Sequence, residues 1–142
     1  HATIRRQRQM CIRDSSELLS RSMGGSSGVL MAIMFSAAAN KVKSDKDWKS
    51  ALHAGLQRVM EMGGARPGDR TFIDALGPAL KKLQENNNLI EAARAARLGS
   101  DRTRDMISAK AGRAAYVPKE YLTGVPDPGA EAVALIFEGI LA

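Results

Sequence analysis

Asp47–Gly64, "DWKSALHAGLQRVMEMGG", decides the fold class. Ser44 to Asp47 reads as a capping stretch, because short side-chain oxygens accept from the free N–H groups of a first helical turn. Trp48, Ala51, Leu52, Gly55, Leu56, Val59 and Met60 then recur on one face of a helix. The Gly63–Gly64 pair ends it, since glycine enters the left-handed backbone that closes a helix without a side-chain clash.

The same pattern extends in both directions. Upstream, Ser26 or Ser27 caps a helix running to about Ala39, with Val29, Leu30, Ile33, Met34 and Ala37 as its stripe and Asn40 at its end. Ser15 to Ser22 reads as helical or fraying, with Leu18 and Leu19 as its apolar pair. Downstream, Ala65–Asp69 is a turn punctuated by Pro67 and Gly68, and Asp69 or Thr71 caps the next helix. Phe72, Ile73, Leu76, Leu80 and Leu83 give that helix its apolar side, and Gly77–Pro78 predicts a kink or tight turn within it. Asn86 to Asn88 breaks the chain. Leu89–Leu98 is helical and stopped by Gly99; Ser100 or Asp101 caps a further helix through Met106, Ile107 and Ala111. Gly112–Asp127 is a long irregular segment of the kind that often carries function. Asp127 then caps a last helix that Pro128 opens and Leu141 closes. Five or six helices with short connections, and no convincing strand, predict an all-α bundle of antiparallel neighbours.

Composition agrees. The chain has 142 residues, 44% hydrophobic but only 4% aromatic, so its core is built of Leu, Met, Ile, Val and Ala. Such side chains suit close helix packing. The formal charge is +6, and Arg5, Arg6, Arg8 and Arg13 supply four of those charges without an acid among them. A basic head can attract nucleic acid, but no stack of aromatics accompanies it, and no specific nucleic-acid partner is expected. Cys11 is the single cysteine and His1 and His53 the two histidines, which excludes an internal disulfide and a cysteine metal cluster and leaves little for a histidine site. Val29–Ala39 is too short to span a bilayer, no secretory signal is evident, and a cytoplasmic location is the expectation.

Three helix starts offer N–H groups to an anion: Gly24–Gly28, Gly68–Thr71 and Asp127–Ala130. Each has a structural reading beside the functional one. Gly24–Gly28 serves as a packing notch or as an anion loop; it is not a P-loop, because no Gly-Lys-Ser/Thr follows and no strand precedes it. Thr71 caps with its hydroxyl or donates it to phosphate. Asp127 caps its own helix. Arg113, at the edge of the long loop, grips phosphate with paired donors or forms a surface ion pair. Asp69 and Asp74 are poorly spaced to share a metal, and Asp69 reads as a turn residue.

Four blocks in order, "MGGSSG", "GGARPGDRTFIDAL", "AGRAAYV" and "GVPDPGA", resemble the nucleotide-binding L domain of dihydroxyacetone (glycerone) kinase, the Dak2 or DhaL domain. The resemblance covers about Leu18–Ala142. It implies an eight-helix antiparallel barrel with ADP or ATP across the loops of one rim. It assigns Ser26 and Ser27 to the hydroxyl pair at the nucleotide, Gly63 to the next contact, and Thr71 and Phe72 to the one after. The family usually has methionine where Phe72 stands; either covers an adenine face. Arg113 matches the arginine near the nucleotide, and Asp127, Pro128 and Gly129 the final contact loop.

One departure matters. The family carries an acidic "GDGD"-type motif and another helix before "GGSSG", and its aspartates hold two magnesium ions against the phosphates. Here Asp14 and Glu17 are the acids before Gly24. The resemblance therefore implies a partial domain over 18–142, short of about two N-terminal helices, behind an unrelated or disordered basic head at 1–17. Magnesium belongs to the complete family domain, and its ligands are missing here. No catalytic residue is assigned, and little or no kinase activity is expected of the chain alone, because phosphoryl transfer depends on cations that neutralise its oxygens. The implied partners are a dihydroxyacetone-binding K domain or subunit, a phosphotransfer subunit if ADP is recharged, and a second copy, since a barrel missing staves exposes apolar flanks. Two alternatives stand beside this one: a non-catalytic helical domain that binds a partner or itself, and an L-like domain of another kinase system.

Overall fold

The computed structural model describes residues 2–22, 25–44 and 47–142. Gly24 of the glycine–serine turn, Asp45 and Lys46 of the capping stretch, and His1 lie outside the described residues. Those residues form seven α-helices and two 3₁₀ turns, with no strand among them: α1 (Ala2–Ser22), α2 (Gly25–Ser44), α3 (Trp48–Gly63), α4 (Ile73–Asn86), α5 (Leu89–Arg102), the single-turn α6 (Lys119–Leu122) and α7 (Pro128–Leu141). The all-α expectation holds. The chain divides into two compact units, His1–Gly64 and Ala65–Ala142.

In the N-terminal unit α2 packs against both α1 and α3. Asp47 is the cap of α3, its carboxylate accepting from the Lys49 and Ser50 amides, and Gly64 closes the helix at φ 72°. Ala51, Gly55, Leu56 and Val59 are the buried positions of α3, whereas Trp48, at the helix start, is exposed. Gly55 is a contact requirement: a Cβ there would meet the Met34 carbonyl oxygen of α2. Ala38, Val42 and Ala51 form a core cluster against which Ile12 and Leu52 pack.

The head differs from its sequence reading. Residues 2–17 are helical, continuous with the Ser15–Ser22 segment. Ile12 reaches the α2–α3 core, and the buried Ser16 hydroxyl donates to the Ala32 carbonyl at 2.8 Å. A weakly apolar sequence becomes helix here because tertiary docking, rather than periodicity, supplies its stability.

In the C-terminal unit α4 packs on α5 and α7, and α5 on α7. Helix α4 runs through Gly77–Pro78 to Asn86. One reading of the sequence is corrected. Helix α5 runs through Gly99 to Arg102, followed by the 3₁₀ turn Thr103–Asp105, and no helix passes through Met106–Ala111. Gly99 is a crossing point: a Cβ there would meet the Asp74 carbonyl oxygen and stand 2.8 Å from Ala75 Cα. Pro78 explains the location. It has no N–H to offer the Asp74 carbonyl four residues back, and the backbone of α5 closes on that oxygen. Asn87 (φ 55°) ends α4 and Asn88 caps α5, so the predicted break stands. Arg97 joins α5 to α7, with Nε and Nη2 on Glu138 at 2.7 and 2.9 Å and Nη1 on Glu131 at 2.7 Å.

Candidate functional site

The candidates fall into the two units. In the N-terminal unit Ser26 and Ser27 are exposed in the first turn of α2. Gly63, at the end of α3, packs on Leu30: a Cβ there would stand 3.1 Å from its Cδ2. The end of α3 therefore lies beside the opening turns of α2, and Gly63 shares an end of the unit with the serine pair. A groove of about 400 Å³ on the same unit, lined by Ser16, Ser20, Ala32, Ser36, Asn40 and Arg58 among others, contains none of the nine candidates.

In the C-terminal unit two helix starts meet. The start of α4 is built from its own side chains. The Asp74 carboxylate accepts from the Gly68 and Thr71 amides, at 2.5 and 2.8 Å. The Thr71 hydroxyl oxygen accepts from the Ile73 amide at 3.2 Å, which leaves its hydrogen to donate. Asp69 closes the preceding turn by accepting from the Arg66 amide at 2.8 Å. The anion reading of Gly68–Thr71 is thus narrowed. The N–H groups of Gly68 and Thr71 already serve a carboxylate, and the free donor is the threonine hydroxyl.

The start of α7 follows the cap reading. Asp127 accepts from the Ala130 amide at 2.9 Å, Pro128 occupies the first turn, and the Asp127 amide donates to Thr103 Oγ1 at 2.7 Å. Asp127 is buried, and burial is the main cause that raises its pKa; the amides of Ala130 and Gly129 and the Arg70 charge act against it.

The two starts touch at two places. Gly129 lies against Phe72, where a Cβ would stand 3.2 Å from Phe72 Cβ and 3.4 Å from its amide nitrogen. Arg70 Nη1 lies 4.0 Å from Asp127 Oδ1. Thr71, Phe72, Asp127, Pro128 and Gly129 are therefore one cluster. Arg113 is exposed in the 3₁₀ turn Arg113–Tyr116, after Gly112 at φ 74°, and its side chain has no hydrogen bond or ion pair among the described residues. Its segment is tethered nearby, through the Lys110 amide on the Asp69 carbonyl at 3.1 Å.

Sequence reasoning missed Arg70 and Asp74. Both are ordinary charged residues in the string "GDRTFID", and only their burial marks them. No group of three or more His, Cys, Asp or Glu side chains able to hold a metal occurs among the described residues. Asp74 and Asp127 are each committed to backbone amides. The residues present do not fit the two-magnesium site of the resemblance.

Two helix starts meeting through a glycine and a buried ion pair fit the order of blocks along the chain, and residues 6–142 match the DAK2 domain. The chain belongs to the DAK2 domain family. The match takes in most of the basic head, consistent with α1 as part of the N-terminal unit. Among its relatives, the chain is 46% identical over 125 residues to dihydroxyacetone kinase of Citrobacter freundii, covering 87% of this chain and 23% of that one. It is 39% identical over 137 residues to human triokinase/FMN cyclase, covering 89% and 24%. The crystal structure of the C. freundii dihydroxyacetone kinase in its native form superposes with a TM-score of 0.79 at 41% identity, over 93% of this chain and 23% of that one. The same enzyme in complex with AMP-PNP and Mg²⁺ gives 0.77 at 39% identity, over 93% and 22%. The chain spans about a quarter of the length of these relatives.

Proposed function

We propose that this DAK2 chain is the nucleotide-binding part of a dihydroxyacetone kinase, which passes the terminal phosphate of ATP, or of an ADP recharged by a phosphotransfer subunit, to dihydroxyacetone held by a K domain or subunit. The observation that carries the reading is the joining of Thr71–Phe72 to Asp127–Gly129 at two helix starts, which sets the free Thr71 hydroxyl donor beside the Phe72 ring and the side-chain-free Gly129 backbone. In this reading the Ser26, Ser27 and Thr71 hydroxyls donate to phosphate oxygens and Gly63 lets backbone approach. Phe72 covers the base, Arg113 supplies an unpaired guanidinium to phosphate, and Asp127, Pro128 and Gly129 form the closing contact. A cytoplasmic location goes with it; no described helix is long and apolar enough to cross a membrane.

The carboxylates that would hold magnesium are not clustered among the described residues, so no step is assigned to this chain beyond binding and orienting the nucleotide. Calorimetric titration with ADP tests the reading. Saturable binding, changed little by magnesium, is the expected result. No saturation by ~1 mM, a free energy weaker than about 4 kcal/mol, overturns it. Given Mg-ATP, dihydroxyacetone and a K domain, the chain is expected to form little or no product, and rapid turnover would refute the incomplete site.

A second reading, a non-catalytic domain that associates with itself, is favoured by exposed Leu135, Ile136 and Ile140 on α7. Light scattering that shows a concentration-dependent dimer without ADP binding would select it.

A further inference from the structure

We infer that Arg70 is the positioning residue of this site, fixing the Asp127–Gly129 loop against Thr71 and Phe72; the inference rests on the nucleotide reading above. Arg70 is 1% exposed, the largest fully buried side chain of the described residues. Its Nη2 donates to the Val125 carbonyl at 2.7 Å and to the Leu122 carbonyl at 3.1 Å, and Nη1 faces Asp127 Oδ1 at 4.0 Å. All three acceptors lie in the segment that leads into α7, while Arg70 itself is bonded in the chain to Thr71. One guanidinium thus ties the last irregular segment to the start of α4.

Two local costs show that the residue is held by its surroundings rather than by its own preference. Its φ is 61°, a left-handed backbone that arginine seldom adopts. Its Nε is buried with no hydrogen-bond partner. A bulky, charged residue in a position that suits glycine is explained by what its far end holds. The planar fork reaches two carbonyls and a carboxylate at once, which neither an ammonium nor an apolar chain of equal length can do. The close packing of Gly129 on Phe72 lies next to this bridge and depends on the loop being set by it.

The test compares the full chain with Arg70→Met and Arg70→Lys, by ADP calorimetry and by amide hydrogen exchange. Arg70→Met is expected to weaken ADP at least tenfold and to speed exchange in Gly124–Ala130 while α1–α3 keep their protection. Arg70→Lys, which keeps the charge beside Asp127 but not the double bridge, is expected to recover part of the affinity. Wild-type affinity in a folded Arg70→Met overturns the inference. Should Arg70→Met not fold, Arg70→Lys decides: wild-type affinity and exchange there overturn it equally. An unaltered chain that fails to bind ADP overturns the nucleotide reading and this inference with it, an outcome separable because it appears without any substitution.

Discussion

Gly99 and Gly63 look alike in the sequence and do different work. Each follows an apolar helical run, and each reads as a stop. Gly63 is at a helix end, and Gly64 beside it has the positive φ of a helix stop. Gly99 lies inside α5 and lets its backbone meet the Asp74 carbonyl. The difference was not legible, because terminating a helix and admitting a neighbour both require the absence of a side chain. Gly99→Ala would drive a methyl into backbone rather than into a flexible side chain, and overpacking of that kind costs about 3 kcal/mol. Chemical denaturation should show that loss, while Gly139→Ala, where a Cβ meets nothing, should be neutral or slightly stabilising. At the site, Gly129→Ala meets Phe72 and the Asp127 carboxylate at 3.1–3.4 Å, so ADP affinity should fall with little change in stability. Arg70 was invisible for a related reason: nothing in its neighbours' chemistry announces that a charged side chain turns inward.

Helix boundaries were the most legible feature wherever a cap carried them. Asp47, Asn88 and Asp127 each accept from amides of the turn they open, and Gly64 and Asn87 close their helices in left-handed backbone. Asp47→Ala should therefore cost about 1 kcal/mol, read as a lower urea midpoint. The cross-link between elements was not legible, since Arg97, Glu131 and Glu138 are separated by a loop and two turns. The Arg97 guanidinium lowers the pKa of both carboxyls, and the Ser100 hydroxyl adds to this at Glu131. Both acids hold their charge to lower pH in the folded chain than in the unfolded one. Their stabilisation is complete above the ordinary value of 4.5 and is lost as pH falls through the lowered folded values. Asp127 acts in the opposite sense, because burial raises its pKa and acid relieves the cost of its charge. The thermal midpoint should drop below pH 4.5, and the Glu131→Gln, Glu138→Gln double variant should flatten that drop. A steeper drop in the double variant would disprove the assignment.

For the molecule as a whole, the basic head proves to be a helix with a buried side. Ile12 and Ser16 attach α1 to the N-terminal unit. Removal of residues 1–17 should uncover the Ala38–Val42–Ala51 cluster, seen as increased binding of an apolar dye and a lower melting temperature. Unchanged values would mark the head as dispensable. Salt-sensitive DNA binding that vanishes with the same truncation would instead restore the nucleic-acid reading of the arginines.

By itself the sequence determined the all-α class, the helix boundaries at Asp47, Gly64, Asn86–Asn88 and Asp127, and the order of motif blocks, because caps and periodicity are properties of a few adjacent residues. Only the tertiary structure decided that α1 docks, that α5 passes through Gly99, and that Arg70 ties Asp127 to Thr71. Those depend on contacts between residues far apart in the chain, where burial and distance, not residue type, set the physics.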